Sequence, residues 1–366
     1  MVVAEQLRRS APGGIGTHIV GLMKGLAECS LSGSRIEVSL LASRPPRGGD
    51  PLEELGYPVA CSRLPGRLLT RAWDHGLVPA PGDVDLLQAT SLAFPKTRGS
   101  VPVVASVHDL TWRVVPEAFP ARGRRWHERA FRRTLTLAEG FVVPSEETAA
   151  ALVSEGVSSS LIEVAGEGGD HLPPPDAAAT SRLLEALGVH DEYLLSVGTL
   201  EPRKNLERVF EACRSARRRL ATERLPSDLR QLDLPLVVVG PRGWGPRSKP
   251  DPAVRLAGAV PSAVLSGLYE RALCLVYVPL LEGFGLPVLE AMTAGTPVIA
   301  SPVPSASSDV LRVDPLDTEA IAAAIVELVL DPALRSDLAR RSMSSASTQT
   351  WSHVAERHLA AWRRFA

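Results

Sequence analysis

Residues 273–301 read LCLVYVPLLEGFGLPVLEAMTAGTPVIAS, and this stretch decides the class of fold. A strand-length apolar run is followed by a glycine-punctuated loop, a segment of helical character and a second short apolar run. Consecutive parallel strands need a crossover connection, which is usually a helix. The stretch therefore predicts a strand-helix-strand unit, with Glu282 in its loop and Glu290 in its helix.

The same alternation recurs along the whole chain. Further strand-length runs rich in Val, Leu and Ile are RIEVSLLAS, VPVVASVHD, GFVVPS, YLLSVGT and LPLVVVGP. Amphipathic segments such as LERVFEACRSARRRLA lie between them. Strand and helix in repeated alternation predict an α/β fold, in which parallel sheets are covered by helices on both faces.

A boundary interrupts this alternation at HLPPPDAAATSRLLEALG, residues 171–188, where three prolines occur in a row. The pattern restarts on each side with its own glycine-rich loop. We therefore expect two Rossmann-like, doubly wound domains that face each other across a cleft. The predicted N-terminal domain covers residues 1–172, the C-terminal domain covers 173–349, and an amphipathic helix covers 350–366.

Composition narrows the function classes. The chain has 366 residues, 45% of them hydrophobic, and a formal net charge of -1, so it lacks the basic character of a nucleic-acid-binding protein. No apolar run approaches the roughly 20 residues that span a bilayer, and the start lacks a signal-peptide pattern. The four cysteines lie in apolar contexts without a CxxC pair, so they are expected to be reduced packing residues rather than disulfides or zinc ligands. We therefore expect a cytoplasmic protein.

Ligands of doubly wound sheets bind beyond the carboxyl ends of the strands. In the first domain, Gly13, Gly14 and Gly16 form a predicted loop, with a helix opening at Thr17, where backbone N–H groups can approach a ligand. A tight turn is the purely structural alternative. His108 ends a strand in SVHDLTW, which favours a functional residue over a merely structural histidine.

In the second domain, the stretch YLLSVGT gives a strand that ends in a predicted turn at Gly198, and Arg203 and Lys204 follow ahead of a helix. Two cations at a helix N-terminus oppose its dipole, an arrangement that makes sense if they hold an anion. The forked guanidinium and the ammonium together suit a diphosphate. Solvated surface charges are the alternative for these two residues.

Four motifs in order, GGIGTH, SVHDLTW, VGTLEPRKNLERV and EGFGLPVLEAMTAGTPVIAS, resemble the landmarks of the family 4 retaining glycosyltransferases, which have the GT-B fold. The resemblance covers almost the whole chain. One departure is the segment 303–310, which is shorter than in the family. In this fold the C-terminal helix usually crosses back onto the N-terminal domain.

The resemblance implies a nucleotide-sugar site in the C-terminal domain. Arg203 and Lys204 would hold the donor phosphates, Glu282 would reach the sugar hydroxyls, and Glu290 would bind the ribose. His108 would face the sugar from the N-terminal, acceptor-side domain. The expected catalytic residues are His108, Arg203, Lys204 and Glu282. The other expected donor-binding residues are Gly14, Gly16, Gly198, Val260, Gly283, Phe284, Gly285, Leu286 and Glu290.

The resemblance also implies the chemistry. A hexose, with mannose as the first expectation, would move with retention from a GDP-, UDP- or dTDP-linked sugar to a saccharide or lipid-linked acceptor in surface-glycan synthesis. No cofactor and no metal are expected, because cations can stabilise the departing nucleoside diphosphate. The leaving phosphate itself would take the acceptor proton.

Two other function classes remain open at this point. One is a nucleotide-sugar hydrolase or epimerase on the same fold, and the other is a non-catalytic nucleotide-sugar-binding subunit. The basic segment ARGRRWHERAFRRTLTLAEG predicts a helix with Arg125, Arg129, Arg132 and Arg133 toward one side. It also suggests peripheral contact with the inner face of an anionic plasma membrane. A solvated helix face is the alternative for that segment.

Overall fold

The computed structural model describes residues 1–30, 36–222, 234–244 and 252–366. They form two compact units: unit 1 comprises Met1–His171 and Gln349–Ala366, and unit 2 comprises Leu172–Thr348. The strands of unit 1 are β1 Val2–Val3, β2 Leu40–Ala42, β3 Val59–Cys61, β4 Leu87–Ala89, β5 Val103–Ser106, β6 Gly140–Val143 and β7 Ile162–Val164. Those of unit 2 are β8 Leu194–Val197, β9 Leu236–Val239, β10 Val254–Gly258, β11 Cys274–Tyr277, β12 Val298–Ala300 and β13 Leu311–Arg312.

The α-helices of unit 1 are α1 Gly13–Ser30, α2 Gly66–Asp74, α3 Thr111–Val114, α4 Ala121–Leu137, α5 Glu146–Ser154 and α12 Trp351–Phe365. Those of unit 2 are α6 Ala177–Ala186, α7 Leu206–Thr222, α8 Ser262–Arg271, α9 Leu286–Thr293, α10 Thr318–Leu330 and α11 Pro332–Ala346. None of the helices in the described part of the chain combines the length and apolar character that crossing a bilayer requires.

Each unit is built on one parallel sheet. The strand order is β3-β2-β1-β4-β5-β6-β7 in unit 1 and β10-β9-β8-β11-β12-β13 in unit 2. The strand order reverses direction between β1 and β4, and again between β8 and β11. These two switch points are where doubly wound sheets bind their ligands. The predicted α/β fold class is confirmed.

Alternating side chains of the unit 2 strands build two separate cores, one on each face of the sheet. Leu194, Val238 and Val276 face a core shared with α7 and α10. Their strand neighbours face the opposite core, which α6, α8 and α9 cover. Because both faces are buried, the strands have the continuous apolar sequences of a covered parallel sheet.

The last helix, α12, packs in unit 1 against α1 and the strands β5, β6 and β7. Its first residue, Trp351, is fully buried. A Cβ atom at Gly21 of α1 would lie 2.0 Å from the Trp351 ring, and one at Gly25 would lie 2.1 Å from the Trp351 carbonyl oxygen. These two glycines therefore permit the close approach of α1 and α12.

The glycine loop predicted ahead of Thr17 is a helix instead. Gly13, Gly14 and Gly16 lie in the first turn of α1, and the prediction that the helix opens at Thr17 is wrong. Gly13 has a φ of 61°, which only a glycine adopts readily, so the chain can turn sharply into the helix. In this arrangement Gly14 is exposed, whereas Gly16 is buried and its backbone N–H donates to the Pro12 carbonyl oxygen at 3.2 Å.

All four cysteines are free, as the sequence predicts. Cys213 and Cys274 are buried in the unit 2 core, where they pack as small apolar side chains. Cys61 is exposed at the end of β3, so the expectation that every cysteine is a packing residue is wrong at this position.

Candidate functional site

Two cations and a carboxylate meet at the switch point of the unit 2 sheet. Glu282 accepts hydrogen bonds from Arg203 Nη1 at 2.9 Å and from Lys204 Nζ at 2.5 Å. Glu201 pairs with the same guanidinium, 2.8 Å from its Nη2. The side chains of Arg203, Lys204 and Glu282 are only 16%, 13% and 11% exposed, so these are not solvated surface charges.

The backbone that follows β8 positions both Arg203 and Lys204 at this site. Pro202–Lys204 form a single 3-10 turn, which ends because Asn205 adopts a left-handed φ of 56°. The side-chain amide nitrogen of Asn205, Nδ2, donates to the carbonyl oxygens of Val278 at 3.0 Å and Pro315 at 2.7 Å. Asparagine tolerates this backbone conformation better than most residues, which explains its place after the two cations.

Gly198 makes room for the lysine. Its φ is 150°, and a Cβ atom there would lie 3.2 Å from Cε of Lys204. A larger residue would push the ammonium away from the strand end. Gly198 therefore contributes backbone shape and space beside Lys204.

Tyr277, the last residue of β11, adds a neutral partner to the cluster. Its hydroxyl accepts a hydrogen bond from Lys204 Nζ at 2.8 Å. Burial, the Glu282 charge and its hydrogen bond keep the pKa of this phenol well above its ordinary value. Burial acts to raise the pKa of Glu282, but Lys204 and Arg203 outweigh it and lower that pKa, so the carboxyl is ionised.

Glu290 lies apart from these ion pairs, on the buried helix α9. It is 7% exposed, and the Tyr269 hydroxyl donates a hydrogen bond to its Oε2 at 2.6 Å. Burial raises the pKa of Tyr269 well above its ordinary value, and the adjacent Glu290 raises it further. Tyr269 is thus a hydrogen-bond donor that keeps its proton and orients the carboxylate of Glu290.

The loop between Glu282 and Glu290 has a backbone that only glycine accommodates. Gly285 caps α9 with a φ of 100°, and a Cβ atom there would lie 2.7 Å from Ser305 Oγ. Ser305 donates from its backbone N–H to the Phe284 carbonyl at 2.9 Å and from its hydroxyl to the Gly285 carbonyl at 2.8 Å. The short segment 303–310 therefore holds the glycine loop in place.

The remaining donor-binding candidates of unit 2 surround this loop. Gly283 and Phe284 precede the cap, Leu286 opens α9, and Val260 follows β10. Phe284 and Val260 are partly buried against the core beneath α9.

The unit 1 candidate, His108, lies just beyond β5. Its Nε2 is 2.9 Å from the Thr90 carbonyl oxygen, and its Nδ1 is 3.7 Å from Oε1 of Glu167. Glu167 in turn lies 2.9 Å from Nδ1 of His18, on α1. Sequence reasoning missed both Glu167 and His18, although Glu167 follows β7 and the strand-end rule could have found it.

His18, His108 and Glu167 form the group of the described residues most similar to a metal site, with ligand atoms within 4.8 Å of one another. The carboxylate is already in contact with the His18 ring nitrogen. We describe this group as a buried ion-pair cluster and assign no metal to it.

The chemistry of the unit 2 edge is that of a site for an anion that also carries hydroxyl groups. Arg203 and Lys204 offer charge and N–H donors, and the carboxylates of Glu282 and Glu290 accept from hydroxyls. The Arg203 carbonyl accepts from the Leu280 N–H at 2.9 Å, so the two loops that carry these groups are tied together.

Two family models match the chain. Residues 12–171 match Glycosyltransferase Family 4, and residues 185–344 match Glycosyl transferases group 1. Together the matches cover most of unit 1 and most of unit 2. The chain belongs to the group 1 glycosyltransferases of family 4.

Two relatives match the chain at low sequence identity. The chain is 27% identical over 278 residues to O-antigen chain mannosyltransferase B of Escherichia coli. This match covers 71% of this chain and 70% of that protein. It is 30% identical over 241 residues to D-inositol 3-phosphate glycosyltransferase of Rhodococcus jostii (strain RHA1). That match covers 60% of this chain and only about half, 51%, of the relative.

Solved structures agree with the fold. Anabaena HepE in complex with UDP and glucose superposes with a TM-score of 0.69 at 16% identity, covering 99% of this chain and 98% of that chain. Sucrose-phosphate synthase from Thermosynechococcus elongatus superposes with a TM-score of 0.68 at 18% identity, with the same coverage. The GT-B fold predicted from the motifs is confirmed.

Proposed function

We propose that this protein is a retaining, metal-independent glycosyltransferase that moves a hexose from a nucleotide diphosphate sugar to a saccharide or lipid-linked acceptor. The observation that carries the proposal is the cluster of Arg203, Lys204 and Glu282 at the unit 2 switch point. In this proposal unit 2 binds the donor, and unit 1 supplies the acceptor side. The Escherichia coli relative is an O-antigen chain mannosyltransferase, which supports mannose and surface-glycan synthesis as the first choice.

The two cations take the donor diphosphate in this proposal. As the bond from the sugar to the phosphate breaks, negative charge grows on the departing nucleoside diphosphate. Arg203 and Lys204 stabilise that charge electrostatically, which is the task that a metal ion performs elsewhere. Because Glu282 contacts both cations in this structure, the diphosphate must take its place.

Glu282 is then available to the sugar. Its carboxylate accepts hydrogen bonds from sugar hydroxyls, while Glu290, oriented by Tyr269, accepts from the ribose hydroxyls. The backbone of Gly283, Phe284, Gly285 and Leu286 approaches the donor, and Val260 marks the loop that holds the base. Of the unit 1 residues, the proposal assigns donor contacts to His108 and to the first-turn glycines Gly14 and Gly16.

Retention in this proposal needs no protein carboxylate as nucleophile. The departing phosphate oxygen accepts the proton of the acceptor hydroxyl as that hydroxyl attacks the same face of the sugar. No proton has to pass through His108. Its ring nitrogens lie against the Thr90 carbonyl and the Glu167 carboxylate, which agrees with a charge-bearing role.

A nucleotide panel tests the donor class first. UDP, GDP, dTDP and ADP are compared by thermal shift, because a nucleotide that binds only the folded protein raises its melting temperature. UDP and GDP are the first choices, since a structural neighbour holds UDP and the Escherichia coli relative is a mannosyltransferase. No stabilisation by any of the four would contradict the proposal.

The hexose donors of the stabilising nucleotide are then tested for transfer. Proton NMR of the product shows the anomeric configuration, and an inverted product would refute the retaining mechanism. Donor consumption that does not depend on any acceptor would favour the hydrolase alternative. Nucleotide binding without consumption would favour a non-catalytic subunit.

We further propose that α4 attaches the protein to the inner face of the plasma membrane, where lipid-linked acceptors are assembled. Arg125, Arg129 and Arg132 are exposed on this helix. Arg133, assigned to the same face from the sequence, instead donates to the Phe94 carbonyl and lies over its ring, so that assignment is wrong.

Vesicle flotation tests the membrane proposal. Replacing Arg125, Arg129 and Arg132 with serine should abolish binding to vesicles that contain anionic lipid, because each basic residue near such a surface contributes about 1 kcal/mol. The matched control replaces three exposed unit 2 arginines: Arg182, Arg218 and Arg340. Equal binding by both triple variants would contradict the proposal.

A further inference from the structure

A carboxylate that the proposed transfer does not use lies buried in unit 1. Glu167, in the turn after β7, is 4% exposed. Nδ1 of His18 is 2.9 Å from its Oε2 and 3.1 Å from its Oε1, and Nδ1 of His108 is 3.7 Å from its Oε1. A buried carboxylate is stable only when it is paired, so two imidazole rings compensate a single acid here.

The surroundings of the His108 ring favour its doubly protonated form. The Thr90 carbonyl can only accept, so Nε2 carries a proton and donates it at 2.9 Å. The other nitrogen, Nδ1, faces a carboxylate at ion-pair distance. A proton on Nδ1 is therefore stabilised, and the ring is a cation held between two fixed acceptors.

Burial acts to lower the pKa of His108. Glu167 and the Thr90 carbonyl outweigh this effect, with a further contribution from Asp109, and the pKa is raised. Burial also acts to raise the pKa of Glu167, but the His18 and His108 rings lower it to about 2. Glu167 is thus ionised at neutral pH, and the protonated form of His108 is favoured beside it.

Besides Asp109, the described residues place two further histidines near this pair. His18 of α1 meets the His108 ring edge-on, with centroids 4.8 Å apart. His358 of α12 lies 5.4 Å from the His18 ring. Burial, and then the neighbouring His18, lower the pKa of His358 to about 3, so this ring is neutral and adds no positive charge.

We propose that Glu167 is a positioning residue, which holds His108 as an imidazolium in one orientation and so gives unit 1 a fixed positive charge beyond β5. The charge faces the end of the sheet where ligands of this fold bind. This inference rests on the proposed transfer reaction for its purpose: a fixed cation stabilises the negative charge that develops in that reaction without giving up a proton. The state of the ring itself is measurable without any substrate.

The test follows the His108 imidazole through a pH titration by NMR, with side-chain nitrogen and carbon shifts assigned by a His108→Gln variant. The variant Glu167→Gln keeps the shape of the side chain and removes its charge. The pKa of His108 should fall by at least about 1 unit, the lower end of what a nearby opposite charge contributes. The matched control is Glu163→Gln, because Glu163 of β7 is ion-paired with Arg357 and not with His108.

A second variant makes the result independent of how well Glu167→Gln folds. His18→Asn retains an N–H donor toward Glu167. It removes the second ring that contacts the Glu167 carboxylate, so the pKa of His108 should stay unchanged or rise. A fall in both variants, or an unchanged pKa in a folded Glu167→Gln protein, would overturn the proposal.

Kinetics supply the functional half of the test. Transfer that needs the His108 cation declines as pH rises through the raised pKa, and in Glu167→Gln this decline should begin at least about 1 pH unit lower. An identical alkaline limb in both proteins would overturn the role in transfer while leaving the NMR result standing. Absence of transfer in the wild-type protein would contradict the proposed function alone.

Discussion

Replacing Glu282 with glutamine should tighten the binding of a free nucleoside diphosphate and at the same time slow sugar transfer. Glu282 is in contact with both Arg203 and Lys204. An incoming diphosphate must compete with this carboxylate for the same N–H donors. Glutamine removes the competitor, but it also removes the group proposed to hold the sugar.

The magnitude follows from the distances. At 2.5 and 2.9 Å, each pair has a gross attraction of about 6 kcal/mol with an effective dielectric constant of about 20. Most of this attraction is offset by desolvation, and close charge pairs show net couplings from about 1.5 kcal/mol upward. We therefore expect the dissociation constant of UDP or GDP to fall at least about tenfold.

Isothermal titration calorimetry at constant ionic strength measures this effect. Glu201→Gln is the graded control, because Glu201 pairs with Arg203 and leaves the Lys204 pair intact, and it should tighten binding less. Lys204→Ala should weaken binding. Unchanged or weaker diphosphate binding in a folded Glu282→Gln protein would refute the assignment of these cations to the phosphates.

Three further predictions concern other groups. Tyr269→Phe removes the 2.6 Å hydrogen bond to Glu290, and loss of about 1 kcal/mol should raise the KM for the donor severalfold with little change in kcat. Excess EDTA should leave the initial rate unchanged, since protein cations carry the phosphate charge; restoration of a lost rate by added Mg²⁺ would contradict this. Glu167, with its pKa lowered from 4.5 to about 2, stabilises the fold above pH 4.5, and this contribution disappears as pH falls toward 2. Urea unfolding of the wild type and Glu167→Gln should therefore converge by up to about 3 kcal/mol over that range, and a constant difference would contradict the assignment.

The sheets could be predicted because their strands are apolar on both faces. Runs such as YLLSVGT and LCLVYVP correspond to β8 and β11, whose residues are buried over nearly their whole length. Shorter strands at the sheet edges gave weaker signals. The edge strand β3 spans three residues, none of them buried, and its sequence lacks the long apolar run that marks a central strand.

The unit 2 candidates could be predicted because they lie in short segments in which glycines and charged residues form a recognisable motif. The sequence placed Arg203 and Lys204 ahead of a helix, but it gave no sign that Glu282 would contact them from 78 or 79 residues away. Contacts of that separation depend on strand order, which the local sequence does not encode.

Glu167 escaped notice for the same reason. It stands in AGEGGD, whose composition is that of an ordinary turn, and its partner His18 is 149 residues away. The start of α1 was misjudged because glycine is a poor helix former, and three glycines in four residues predict a loop. Packing overrides that preference, since α1 lies against α12.

The return of α12 to unit 1 has a consequence for the order in which the chain folds. During synthesis the ribosome completes the whole of unit 2 before Trp351 and Trp362 exist, and both are part of unit 1. The groove on α1 left by Gly21 and Gly25 stays empty until then. Synthesis of unit 1 therefore begins before that of unit 2 but ends after it. While unit 2 folds, the apolar surface of the incomplete unit 1 must be kept from aggregating.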